Sequence, residues 1–319
     1  MRRLAVLVCS VLCSVLALTG TIRTAAAEDT LKVAVPQKGA WDAGIVEIGQ
    51  RGGIFKKHGL NLDILYTVAG PESIQAMIAG SIDIAVASGV SAAIGTFGKG
   101  APIRIFSSEM TGAHDLYWYV PADSPIKSVA DFNGKTVAYS AVGSSSHGSL
   151  LALIAQDHLT ATPTATGNIA STITQTMTKQ VDVGFGAAPF GLDLVEAGKT
   201  RIVASGDDVV ALRTRAVRVN LTGSATLQTK HDQMVRFMQA YKETVDWMYS
   251  SPDALKVYGE YSGLPAAIVD RVLKLIPKSA LQTDEVMGIN DLMADAVTQK
   301  FLAAPLTPDQ LKELIQIVK

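Results

Sequence analysis

Ile82-Asp83-Ile84-Ala85-Val86 runs into Ser88-Gly89-Val90-Ser91 and then into the small-residue segment 92–98. An apolar, β-branched run, a short Ser/Gly loop and a following amphipathic stretch predict strand, loop and short helix. The same triplet recurs on both sides. Upstream, Leu31-Lys32-Val33-Ala34-Val35 alternates and stops at Pro36. The loop Gln37-Lys38-Gly39-Ala40-Trp41 then leads to a predicted helix over 42–57, with Asp42 as its N-cap and His58-Gly59 as its end. Residues 60–67 read as a second strand, and 72–79 as a helix closed by Gly80. Downstream, Ile103-Arg104-Ile105-Phe106 is a fourth strand.

A second series follows Leu116-Tyr117-Trp118-Tyr119-Val120-Pro121. It holds a helical turn at 128–132, a strand at 136–139, a helix at 145–157, a strand at 181–185, a helix at 193–197 and a strand at 201–204. Beyond Arg218-Val219-Asn220 the pattern is mostly helical, punctuated by Pro252, Pro265, Pro277 and Pro305. Strand–helix alternation predicts an α/β chain with parallel βαβ units. Two such series and a helical tail predict two lobes facing each other. In open parallel sheets ligands bind beyond the carboxyl ends of the strands. The candidate site is therefore the loops after Val35, Val86, Phe106, Tyr139 and Phe185, in a cleft that closes by hinge motion.

Composition narrows the classes. The chain has 319 residues, is 48% hydrophobic and 18% charged, and carries a formal net charge of −1. That is too apolar for a disordered chain and lacks the basic excess of a nucleic-acid binder. A mean hydropathy of +0.25 is inflated by the N-terminus. Arg2-Arg3, an apolar run over 4–18, and Ala25-Ala26-Ala27 before Glu28 have the order of a secretory signal peptide, residues 1–27. The apolar run is shorter than the roughly 20 residues of a spanning helix. Removing residues 1–27 takes away Cys9, Cys13 and three arginines, leaving 25 basic against 29 acidic residues, or −4. The exported chain then has no thiol, no disulfide and no cysteine metal site.

The chemistry-bearing candidates are few. Gly143-Ser144-Ser145-Ser146-His147 lies between a strand and a helix. There, free backbone N–H groups and hydroxyls form either a polar-group receptor or a plain serine cap. Ser88-Gly89-Val90 offers the same chemistry. Lys38 beside Trp41 suits an anionic head and an apolar body, or else a solvated lysine over a core tryptophan. Arg213, Arg215 and Arg218 are taken to share one face of an extended stretch. That face is either solvated or lines the cleft, with Arg215 the cleft candidate. Glu109, His114 and Asp115 cluster, but the five histidines are scattered and no metal site is expected. There is no G-x-S-x-G elbow and no catalytic cysteine, so no catalytic residue and no cofactor are assigned.

In order along the chain, several stretches resemble the periplasmic substrate-binding proteins of the nitrate/sulfonate/taurine (NMT1-like) ABC importers. They are Val33-Ala34-Val35-Pro36-Gln37-Lys38-Gly39, Gly52-Gly53-Ile54-Phe55-Lys56-Lys57-His58-Gly59-Leu60-Asn61-Leu62, Ala79-Gly80-Ser81-Ile82-Asp83-Ile84-Ala85, and the segment from Asp123-Ser124-Pro125 to Gly134-Lys135-Thr136-Val137. The resemblance spans about residues 31–150, weakens to about 205 and fades in the tail. It implies a type II periplasmic-binding-protein fold with a ligand cleft between two α/β lobes. Lobe one is then 28–117 with 217–319, and lobe two is 118–216. It implies a monomer that delivers a small solute to an inner-membrane permease with its ATPase. By position, the ligand loops are Gln37, Lys38 and Trp41; Ser88, Gly89 and Val90; Ser107 and Ser108; Gly143 to His147; and Gly186, Ala187 and Pro189, with Phe185 packing the apolar part of the ligand. Sulfonates, taurine, nitrate, aromatic acids and pyrimidines all suit such loops. Two other readings stay open: a binder or enzyme for a thiamine-pyrimidine precursor, and the sensing domain of a signalling system. A fungal branch of the family makes the thiamine pyrimidine with a cysteine-rich motif, which this exported chain lacks.

Overall fold

The computed structural model describes residues 28–319. The expected signal peptide and both cysteines lie outside the described residues. The first sheet is laid down by β1 (Asp29–Pro36), α1 (Ile45–Arg51), α2 (Ile54–Lys57), β2 (Leu60–Thr67), α3 (Gly70–Ile78), β3 (Ile84–Gly89), α4 (Val90–Gly98) and β4 (Ile103–Thr111). The chain then builds β5 (Leu116–Pro121), β6 (Thr136–Tyr139), α5 (Ser145–Gln156), β7 (Thr162–Ala165), α6 (Ile169–Met177), β8 (Gly184–Ala187), α7 (Leu192–Glu196) and β9 (Thr200–Ser205). It returns as β10 (Ala216–Gly223) and ends in helices α8 (Ser224–Thr229), α9 (His231–Ser250), α10 (Pro252–Ser262), α11 (Ala266–Leu275), α12 (Ile289–Thr298) and α13 (Pro308–Leu314).

The two α/β series form separate sheets. One has the order β2-β1-β3-β10-β4; the other combines β8-β5-β9 with the pair β6-β7, joined by a parallel bridge between Val137 and Val183. The chain passes from the first sheet to the second between Thr111 and Leu116, and back between Ser205 and Ala216. Parallel pairing holds for β1 with β2 and β3, and for β6 with β7. It fails for β10, which is antiparallel to both β3 and β4, and for β5, which is antiparallel to β8 and β9. The reason is the double crossing. A strand that re-enters the first sheet from the second must run against the strand that left it.

The predicted 42–57 helix is two helices. Gly53 takes φ +73° at the start of α2, a conformation glycine adopts without the Cβ penalty, and the chain turns there. Gly44, not Asp42, is the N-cap of α1, which frees the Asp42 side chain for another role. The α1 face buries Ile45, Val46 and Ile48, and the core there continues into Met234, Phe237 and Tyr241 of α9. Phe55 packs on Phe237 with ring centroids 5.4 Å apart. The C-terminal helices thus cover the sheet made by the N-terminal strands. A second apolar cluster joins β3, α4 and β10 to Leu292, Met293 and Leu302.

Candidate ligand-binding cleft

Between the two sheets lies a small cavity that opens to solvent. Pro36 and Gln37 at the end of β1, Gly70 at the start of α3 and Gly89 at the end of β3 form one wall. Ser140 just past β6, Ser144 to Ser146 at the start of α5, and Phe185 and Ala187 on β8 form the other. The strand ends deliver these residues because each strand's last buried position hands over to a tight turn into a helix.

The start of α5 is a knot of hydroxyls. Ser144 is the N-cap, its Oγ accepting from the His147 backbone N–H at 3.2 Å. The Ser146 Oγ accepts from the Ser140 N–H at 3.0 Å and sits 3.0 Å from the hydroxyls of both Ser140 and Ser144. Backbone N–H groups in a first helical turn favour acceptors and anions. Gly89 meets this turn from the opposite wall. A Cβ on Gly89 would fall 2.5 Å from the Gly143 carbonyl oxygen and 2.9 Å from the Ser145 nitrogen, so the walls touch where only hydrogen fits.

The floor is ionic. Arg218 on β10 is buried and binds Asp115 through two hydrogen bonds, from Nη1 to Oδ1 at 3.1 Å and from Nη2 to Oδ2 at 2.8 Å. Its Nη1 also donates to Asp42 Oδ2 at 2.9 Å, and its Nε donates across the cleft to Ser145 Oγ at 3.1 Å. Bidentate guanidinium–carboxylate pairs are among the stronger charge-assisted contacts. Burial pulls the Arg218 guanidinium toward losing its proton, but Asp115 and Asp42 outweigh this and hold it charged. Burial pushes the Asp42 carboxyl up from its ordinary range, against the pull of Arg218.

Behind the floor sits Glu109, fully buried, with neither carboxyl oxygen hydrogen-bonded among the described residues. Burial raises it well above the ordinary 4.5, with Asp42 adding to the shift and Arg218 opposing it. The folded chain therefore holds a proton on Glu109 that the unfolded chain releases above about pH 4 to 5. Through this group, stability falls as pH rises above that unfolded value. Glu109→Gln keeps the shape and removes the titration. Melting temperature against pH from 5 to 8 should become flatter, with the variant's advantage greatest at pH 8. Parallel curves would show that Glu109 is ionised in the fold.

The expected site residues divide. The structure brings Gln37, Gly89, Ser144, Ser145, Ser146, Phe185 and Ala187 to the cavity. It does not bring the others to the cavity wall. Trp41 is fully buried in the core, its Nε1 donating to the Tyr249 hydroxyl at 2.9 Å and its ring edge-on to Tyr258 at 4.8 Å. Lys38 is exposed, with its Nζ 5.3 Å from the Tyr66 ring centre. Val90 packs into the apolar cluster beneath β3, and Ser88 is buried. The hydroxyl of Ser107 accepts from Asn220 at 2.9 Å, and that of Ser108 accepts from Gln282 at 3.4 Å; both residues are fully buried, on opposite faces of β4. Gly143, at φ +85°, donates its N–H to His147 Nδ1 at 3.2 Å, and the His147 ring stacks on Tyr139 at 4.2 Å. Gly186 is covered by Tyr117, and Pro189 lies past the end of β8.

Arg215 is corrected as the cleft arginine. It lies before β10 and pairs with Asp291 and Asp295, each at 3.0 Å, away from the cavity. Arg213 and Arg215 precede the strand, so the shared-face reading fails and Arg218 alone reaches the floor. Sequence reading missed Asp42, Asp115 and Arg218 as a set. They stand at three separate places in the chain, and only the fold joins them. The signal available was Asp115 and Arg218 flanking the two crossings between the sheets.

The family model described as NMT1/THI5 like matches residues 43–255, two thirds of the chain. The chain belongs to the NMT1/THI5-like family. The structure of the alkanesulfonate-binding protein SsuA from Xanthomonas axonopodis pv. citri, bound to MOPS, is similar at TM-score 0.72 and 20% identity, over 85% of this chain and 90% of that one. The periplasmic nitrate-binding protein NrtA from Synechocystis PCC 6803 matches at 0.69 and 13%, over 90% and 86%. The Candida albicans CA3427 gene product, described as having the generic periplasmic binding protein fold, matches at 0.70 and 14%, over 91% and 97%. No curated protein matches the chain. This NMT1/THI5-like chain therefore has the periplasmic-binding-protein fold, two α/β lobes with a cleft between them.

Proposed function

We propose that the chain is the solute-binding component of an ABC-type importer, exported to the periplasm by residues 1–27. It acts as a monomer that captures one small solute between its lobes and presents the closed form to the inner-membrane permease. Lobe one is 28–117 with 217–319, lobe two is 118–216, and the crossings between β4 and β5 and between β9 and β10 are the hinges. The observation that carries the reading is the cavity itself. It sits at the strand ends of both sheets, with polar groups converging from each, as ligand sites in this architecture do.

The solute class is sulfonate-, nitrate- or taurine-like, with its oxyanion at the start of α5 among the hydroxyls of Ser140, Ser144 and Ser146. The named ligands of the SsuA and NrtA relatives support this class. Catalysis is not the reading the site favours. Among the described residues, no serine on the cavity wall is hydrogen-bonded to a histidine ring; His147 spends its Nδ1 on the Gly143 N–H. A thermal-shift panel of sulfonates, nitrate, amino sulfonates, aromatic acids and aminopyrimidines tests the proposal, since a ligand bound to the folded state raises stability by mass action. A stabilising solute recovered unchanged by mass spectrometry supports binding. Its conversion to a product overturns the binding reading in favour of an enzyme.

A further inference from the structure

The charges on the cavity wall do not suit a simple anion. The charged side chains lining it are Asp42, Asp115 and Arg218. Asp115 alone neutralises Arg218 through the bidentate pair. Asp42 then adds a second carboxylate against the same guanidinium at 2.9 Å. With both acids ionised the wall carries −1, and with Asp42 protonated it carries zero. While Asp115 stays ionised against the guanidinium, Arg218 has no charge to offer in either of these states.

The neighbouring groups do not reverse this balance. Glu109 stands behind the trio with both carboxyl oxygens buried and unpartnered among the described residues, so it brings no cation. Lys38 is exposed over Tyr66 and does not line the cavity. His147 does not line it either, and its Nδ1 accepts a hydrogen bond, which fixes the neutral ring with its proton on Nε2. The partial positive charge at the start of α5, about half an elementary charge, lies on the opposite wall. The cavity thus has an acidic side and a donor-rich side.

We infer that the solute carries a protonated nitrogen seated against Asp42 and Asp115, with its acceptor end toward the first turn of α5. With Asp42 ionised, a buried monoanion would add a second negative charge beside that carboxylate, and with Asp42 protonated no cation on the wall is left to pair with it; buried charges are tolerated only when paired. A small zwitterion satisfies both sides and adds no net charge. This rests on the reading of the cavity as the solute site, and it narrows the class within that reading: amino sulfonates or amino acids in place of plain sulfonates or nitrate.

Matched probes separate the two levels. Taurine and ethanesulfonate differ by one ammonium group, as do β-alanine and propionate. Calorimetry with the intact chain is expected to show the ammonium-bearing member of at least one pair binding tenfold or more tightly than its partner. In Asp42→Asn that preference should shrink at least tenfold, with Asp115→Asn as the second variant should the first fail to fold. Ethanesulfonate, propionate or nitrate binding as tightly as the ammonium-bearing probes overturns this inference and leaves the solute-binding reading standing. Binding by none of the probes counts against both. An ammonium preference unchanged in both variants places the nitrogen elsewhere and overturns the assignment.

Discussion

Arg218→Met should cost about 3–5 kcal/mol of folding stability, the range for removing one partner of a buried charged pair. The size follows from what remains. Asp42 and Asp115, 3% and 2% exposed, would keep their burial and lose the guanidinium that satisfies them at 2.8 to 3.1 Å. Ser145 would lose its donor from across the cleft. The loss has a pH signature. In the variant Asp42, already pushed up by burial, loses the guanidinium that opposes that push, so its folded-state value moves further above the unfolded aspartate value of about 4. The deficit against wild type is then full at neutral pH and shrinks as pH falls toward that unfolded value, where both states hold the protons. Urea unfolding at pH 7 and pH 4.5 measures it. A deficit below about 1 kcal/mol, or one independent of pH, would mean that the trio is solvated and does not form the floor.

Gly89→Val is expected to separate folding from capture. Gly89 sits at φ −61°, an ordinary conformation for any residue, so a side chain there strains no backbone. What it meets is the other lobe's main chain, the Gly143 carbonyl and the Ser145 nitrogen, neither of which can rotate aside. Overpacking of this kind costs about 1–3 kcal/mol. Here the cost falls only on the form in which the lobes touch. Affinity for any stabilising solute should drop roughly 5- to 150-fold, while the melting temperature of the solute-free chain stays near wild type. Gly89→Ala should fall between the two. Calorimetry on the three proteins reads the series, and equal affinities would remove this contact from the closing mechanism.

The α/β alternation was legible because apolar strands such as Ile82-Asp83-Ile84-Ala85-Val86 end in turn residues that no helix or sheet interior favours. The Ser144–Ser146 cap was legible for the same local reason, and it does reach the cavity wall. The direction of β10 was not, since strand order depends on where the chain crosses between lobes, which no local pattern records. Lys38 and Trp41 lie at the right strand end, yet one points to solvent and the other into the core. Proximity in sequence to a strand end does not fix which way a loop side chain faces. Asp42 read as a helix cap because the helix was started too early; α1 begins only after Gly44. Its carboxylate, with those of Asp115 and Glu109, gathers around Arg218 only through tertiary structure, so the electrostatic character of the cleft stayed hidden.

A solute is expected to draw the two lobes together around this cavity. Small-angle scattering of the chain, titrated with the solute that stabilises it most, reads this closure. Wild type should show a saturable decrease in radius of gyration, at the same concentrations that raise the melting temperature, and Gly89→Val a reduced decrease. Saturable binding with no change in radius of gyration in either protein would contradict it.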